Sequence, residues 1–215
     1  MGAAAPSRRR LRAELGLLFV GVPVLMTAFF GHYPLLPAVL ALGGVALSLL
    51  ARTPGFAFAE LLRPPPRSAL WPSALFLIAT AAACTAVSLA LVPGRFLAIA
   101  TERTGLWVMI MVFYPLLSAL PQELIYRPLF FRRYGTLFRR PQAALAANAV
   151  AFGVGHLFYQ NPVTILMTMV GGLAFGYAYQ RTGSFLLAFF LHAVAGQIVF
   201  TAGLGVYFYH GAVGR

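Results

Sequence analysis

The sequence predicts an all-α fold, a polytopic transmembrane helical bundle of about seven spans with the N-terminus in the cytoplasm. Three observations predict it. Of the 215 residues, 60% are hydrophobic and only 9% are charged, where a soluble domain carries about 25%. The apolar residues fall into separate runs, on the scale of the ~20 residues that span a bilayer. All sixteen basic residues are arginine, and all but Arg127 lie in the terminal tails or in short links between those runs, the charge pattern of membrane topology.

Residues 1–12 read as a basic tail, with Arg8, Arg9, Arg10 and Arg12 ahead of a first apolar run at 15–30. Gly31-His32-Tyr33 follows without a small-x-small cleavage site, so the run is an uncleaved span rather than a signal peptide. A twin-arginine signal at Arg8-Arg9 is the weaker alternative. A second span covers 35–50 and closes at Arg52. Between 53 and 69, Phe56, Phe58, Leu61 and Leu62 surround Glu60 and lead into Arg63-Pro64-Pro65-Pro66-Arg67. That composition suits a short interfacial helix and a stiff proline turn. The third span is 70–92, followed by a loop with Arg95, Glu102 and Arg103. The fourth, 106–131, ends at Arg132-Arg133, and the link to Arg139-Arg140-Pro141 is strongly basic. Spans at 142–158, 163–179 and 184–204 complete a single transmembrane domain, 13–206. In the short tail 207–215, Tyr207-Phe208-Tyr209 has the character of an aromatic interface anchor.

Seven alternating spans place twelve arginines on one side and only Arg95, Arg103 and Arg215 on the other. The basic side is cytoplasmic by the positive-inside rule, and the expected location is a prokaryotic cell (inner) membrane. The net charge of +12 is then accounted for by topology and anionic headgroups. With no soluble basic domain, no nucleic-acid partner is expected. Cys84 is the lone cysteine, which leaves no internal disulfide or zinc cluster; a small buried hydrophobe is its plain reading.

Only four acids occur. Glu14 and Glu102 sit near arginines at membrane edges, and Glu60 lies in the interfacial stretch. Glu123 is different, because it stands inside an apolar run. An acid at the centre of a span costs about 2.5–3.5 kcal/mol on insertion scales and marks a functional position by default. Arg127 follows at i+4 and can pair with it on one helix face. Alone, such a pair serves equally well to neutralise charge for insertion. Pro121 and Pro128 remove two helical hydrogen bonds and free the carbonyls of Leu117 and Leu124. Irregular backbone at this depth is tolerated where it is buried in protein or lines a wet cavity.

Two histidines compete for attention with Glu123. His156 ends Phe152-Gly153-Val154-Gly155-His156, with Asn148 two turns back extending the polar stripe. By itself His156 reads as an interhelical hydrogen-bond partner. His192 lies deeper in its span, while His32 and His210 sit beside aromatics at span edges and read as interfacial. Helix rise puts Glu123 and His156 roughly 18–23 Å from the 135–141 loop, and His192 roughly 16 Å beyond Arg181. One carboxylate and two imidazoles at similar depth can meet.

These phrases resemble the CPBP family of intramembrane endopeptidases, which includes the type II CAAX prenyl endopeptidase and bacteriocin-processing or immunity-associated (Abi-type) proteins. The family pattern is Glu-Glu-x-x-x-Arg, then Phe-x-x-x-His, then His-x-x-x-Asn. Here it reads Gln122-Glu123-Leu124-Ile125-Tyr126-Arg127, then Phe152 to His156, then His192-Ala193-Val194-Ala195-Gly196, within 105–205. Two positions depart. Gln122 replaces the glutamate usually assigned as the base, and Gly196 replaces the asparagine thought to help hold the oxyanion.

The resemblance implies an intramembrane endopeptidase that hydrolyses a peptide bond of a membrane-associated or lipidated protein or peptide. The expected catalytic residues are Glu123, activating water; His156, orienting that water; and His192, stabilising the oxyanion. Arg127 would position Glu123, and Gln122 would donate a supporting hydrogen bond. No cofactor is expected; a zinc version would use Glu123, His156 and His192 as ligands, with water fourth. The alternatives are a catalytically inactive scaffold or immunity protein, supported by the two departures, and a small transporter or proton relay. No inverted repeat supports the relay.

Overall fold

A computed structural model describes residues 6–29 and 35–208, and every regular element among them is helical. Helices occupy all seven apolar runs: α1 (Arg8–Phe29), α2 (Leu35–Ala51), α3 (Arg67–Leu91), α4 (Thr104–Leu137), α5 (Pro141–Val154), α6 (Pro162–Thr182) and α7 (Phe185–Thr201). Four of these, α1, α3, α4 and α6, are long and apolar enough to cross a bilayer. The other three are shorter, at 17, 14 and 17 residues for α2, α5 and α7. At 1.5 Å per residue they rise only about 21–26 Å.

Much of the exterior is apolar. Trp71, Leu75 and Ile78 on α3 are exposed, as are Val108, Met109, Val112 and Leu116 on α4 and Leu166, Val170 and Leu173 on α6. Each set follows helical spacing, so each helix turns a whole apolar face outward. Lipid is the solvent that such faces suit, and the chain is an integral membrane protein. His32, His210 and Tyr209 lie outside the described residues.

Helix ends follow local chemistry. The Ser7 hydroxyl accepts the Arg10 N–H at 3.3 Å and starts α1 at Arg8, so part of the sequence-defined basic tail is helical. Asn161 Oδ1 accepts from Val163 N (2.9 Å) and Thr164 N (3.3 Å) to begin α6 at Pro162. Gly183 closes α6 at φ +64°, a left-handed conformation that glycine adopts without steric cost. Ser184 then caps α7 by accepting from Leu187 N at 3.2 Å. The 53–69 stretch holds two short 3₁₀ turns, Phe58–Leu62 and, at the start of α3, Arg67–Ala69, where a short interfacial helix was expected.

The helix that carries the first motif passes through Pro115, Pro121 and Pro128 without breaking. It widens into π-helical turns at Pro115–Ala119 and Ile125–Tyr134, on either side of the α-helical turn Leu120–Leu124. Proline removes a donor and crowds the carbonyl four residues back; wider turns accommodate both, and they occur often at functional sites. The irregularity expected around Glu123 takes this form. Inward, Tyr126, Phe130 and Tyr134 of α4 pack edge-on around Phe19 of α1, with ring centroids 5.2–5.9 Å away. At the arginine-rich end, Arg133 reaches Glu14 of α1 at 2.7 and 3.0 Å, and Arg132 reaches Glu60 at 3.0 Å.

Candidate active site

Two π turns set off the short α-helical turn that carries Glu123; α2 and α7 pack against that turn, and α5 and α6 pack against the π turn that follows it. Glu123 and Arg127 are both fully buried. Arg127 Nε donates to Glu123 Oε2 at 2.8 Å and Nη2 donates to Oε1 at 3.1 Å, the planar fork that matches a carboxylate. The third guanidinium nitrogen, Nη1, donates to Asn148 Oδ1 on α5. Asn148 Nδ2 in turn donates to the Tyr126 carbonyl at 2.6 Å. Gly176 of α6 makes room here: a Cβ would meet Asn148 Oδ1 and Leu145 Cδ1 at 2.9 Å. The rings of Phe152 and Phe175 lie 5.3 and 5.7 Å from the guanidinium carbon. Every polar group of this charged pair is therefore held, the condition for burying ions in an apolar interior.

The same carboxylate reaches α7. His192 Nδ1 lies 2.9 Å from Glu123 Oε1. A carboxylate only accepts, so Nδ1 carries the proton and Nε2 is the free ring nitrogen. Phe175 stacks on the imidazole at 5.0 Å and 12°, and Phe152 meets it edge-on at 5.4 Å.

His156 is fixed by a different route. α5 ends at Val154, short of the expected 158, so His156 lies in the turn after the helix. Its Nδ1–H donates to the Phe152 carbonyl at 2.7 Å, and the neutral ring then has its lone pair on Nε2. The sequence spacing of Phe152 and His156 thus corresponds to a real contact, between a backbone oxygen and a ring. Among the described residues, neither His156 Nε2 nor His192 Nε2 has a hydrogen-bond partner.

Both imidazoles line one cavity of about 380 Å³, together with Gln122, Tyr114, Ser118 and Gly196. A second cavity of about 250 Å³, walled mainly by apolar residues of α1, α2 and α4, shares Ser118, Gln122, His156 and Tyr159 with the first. Gln122 Nε2 donates to Ser118 Oγ at 2.9 Å, while its Oε1 is buried without a partner among the described residues. Glu123 does not reach either cavity wall. Among the described residues no three His, Cys, Asp or Glu side chains converge closely enough to hold a metal. Glu123, His156 and His192, the ligands of the zinc alternative, do not form such a group.

Residues 108–198 match the family model Type II CAAX prenyl endopeptidase Rce1-like. All three motifs lie inside that match. The motif-bearing region is similar to this family. No curated protein and no solved structure matches the chain. The Rce1-like region contains the whole Glu123–Arg127–Asn148–His192 network. Sequence reasoning brought Glu123, Arg127, Asn148 and the two histidines into view and gave no role to Tyr114 or Ser118. A signal for those two was present: Tyr114, Ser118 and Gln122 recur every four residues in an otherwise apolar run, which places them on one helix face.

Proposed function

We propose that the protein is an intramembrane endopeptidase that hydrolyses a peptide bond of a membrane-associated protein or peptide. The Rce1-like match supports a CAAX-type protease acting within the membrane, here in a prokaryotic inner membrane with the arginine-rich ends cytoplasmic. The observation that carries the mechanism is the carboxylate–imidazole couple of Glu123 and His192, backed by Arg127. Both carboxylate oxygens are occupied and lie behind the cavity wall. These bonds favour a base one step outward from the expected one: His192 Nε2 takes the proton of the attacking water, and Glu123 stabilises the imidazolium that forms. A carboxylate behind a histidine does the same in serine hydrolases.

His156 Nε2, a lone-pair nitrogen on the same cavity, accepts the water's second hydrogen and aims its oxygen. Gln122 sits where both cavities meet and donates or accepts as its amide rotates. The apolar cavity beside α1 and α2 suits the aliphatic part of a substrate, while cleavage takes place in the polar one.

The test uses the full chain in phosphatidylethanolamine–phosphatidylglycerol (3:1) vesicles. Two internally quenched peptides are offered, a farnesylated one ending in a CAAX box and its unprenylated counterpart. Cleavage by the wild type and none by His192→Ala is expected; equal cleavage by both would overturn the proposal. One observation favours a second reading, a non-catalytic membrane scaffold: the residue at 122 is an amide, its oxygen has no partner among the described residues, and it cannot serve as a general base. Absence of cleavage of either peptide, with both still bound, would select that reading.

A further inference from the structure

We infer that the Tyr114 hydroxyl is the hydrogen-bond donor to the carbonyl oxygen of the scissile bond, seated in the space that Gly196 leaves open. The inference rests on the endopeptidase reading and adds a residue to it. Gly196 lies one turn after His192 on α7, the position from which a side chain would point into the cavity beside that imidazole. A Cβ built there would overlap the Tyr114 phenol at its oxygen, Cζ and Cε1. The ring of Tyr114 is therefore inserted from α4 into the place of the missing side chain. It meets the His192 ring edge-on, with centroids 6.1 Å apart, and Phe200 supports it at 5.3 Å.

Tyr114, Gln122, His156, His192 and Gly196 all line the 380 Å³ cavity. The Tyr114 hydroxyl has no hydrogen-bond partner among the described residues, although His192 and Gln122 on the same cavity are both anchored. A phenol is a better donor than an aliphatic hydroxyl, and a donor held before the reaction costs no reorganisation when charge develops. As water adds, its oxygen bonds to the carbonyl carbon, its proton goes to His192 Nε2, and the C=O π pair moves to the oxygen facing Tyr114. The Tyr114 proton stays on its oxygen. When the intermediate collapses, the C–N bond breaks and the proton on His192 passes to the leaving nitrogen.

The experiment compares wild type, Tyr114→Phe, Tyr114→Ala and the double variant Tyr114→Ala/Gly196→Asn, as full chains in the same vesicles with the same quenched peptides. Tyr114→Phe removes one oxygen that bonds to no described residue, so the melting temperature is expected to hold. Its kcat is expected to fall about 10²-fold, the loss of one oxyanion donor, with KM nearly unchanged. In the double variant an asparagine amide enters the vacated space, and kcat is expected to recover at least about tenfold over Tyr114→Ala. Wild-type kcat in Tyr114→Phe, or a loss that only tracks a lowered melting temperature, would overturn the inference and leave the endopeptidase reading standing. Wild-type protein that cleaves neither peptide would remove that reading and the inference with it.

Discussion

Glu123 and His192 are 69 residues apart in sequence, and their side chains meet at 2.9 Å in a buried contact between α4 and α7. The contact fixes the tautomer of the imidazole and turns Nε2 to the cavity. Glu123→Gln keeps the shape and removes the charge that stabilises the imidazolium. Its kcat is expected to drop about 10⁴-fold, the loss seen when the carboxylate of a catalytic triad becomes an amide. Glu123→Ala leaves the Arg127 charge unpaired in the interior and should destabilise the fold by about 3–5 kcal/mol. Initial rates on the quenched peptides and thermal unfolding in detergent check the two effects separately. A Glu123→Gln protein with wild-type kcat would place the base elsewhere.

Arg127 spreads its guanidinium over Glu123 and Asn148 and lies between two phenylalanine rings. Lysine offers a point charge in place of that fork. Arg127→Lys is therefore expected to lower both the melting temperature and kcat. Asn148→Ala, which leaves one guanidinium N–H unpaired, should cost about 1–3 kcal/mol while retaining most activity. Reversal of that order, with Asn148→Ala the more damaged in rate, would mean that Asn148 acts on more than the arginine's position.

Run length and hydropathy place a helix in each of the seven apolar runs, because lipid rewards long apolar stretches wherever they pack. Asn161-Pro162 and Gly183-Ser184 mark two helix ends by chemistry that is local to four residues. The end of α5 is missed: Gly153 and Gly155 weaken the last turn, and His156 leaves the helix. The π turns of α4 are legible only as trouble around the prolines, since the wider bonding pattern depends on the packing outside. Pairings between distant charges are settled by tertiary packing. Glu14 and Arg133, 119 residues apart, look in the sequence like two unrelated members of an edge population.

That long-range pair has its own consequence. Arg133 is nearly buried, with its side chain 2% exposed, and Glu14 takes two of its nitrogens while Thr53 Oγ1 accepts a third bond at 3.2 Å. Hydrogen bonds to charged groups contribute about 1.5–3 kcal/mol. Glu14→Gln should destabilise the bundle by that amount without changing KM, because the pair lies at the arginine-rich end and lines neither site cavity. Chemical unfolding of the reconstituted protein measures the first part, and peptide titration the second. A raised KM with unchanged stability would show that this end of α1 and α4 contacts substrate.

Gln122→Glu is the substitution that adds function if the cavity wall is where water is activated. The amide oxygen at 122 is buried and has no partner among the described residues, and the Ser118 hydroxyl lies 2.9 Å from the amide nitrogen. A carboxylate in the same volume accepts the Ser118 O–H and directs its other oxygen to the cavity that holds His156 and His192. It supplies a second proton acceptor next to the water held by His156. General-base assistance contributes typically 10²–10⁴-fold, and part of that is already supplied by His192. An increase in kcat of about tenfold or more is therefore expected, with His192→Ala/Gln122→Glu recovering measurable activity over His192→Ala alone. Parallel progress curves for the four proteins decide it: a Gln122→Glu protein that folds, binds peptide and cleaves no faster than wild type would remove the wall at Gln122 from the reaction.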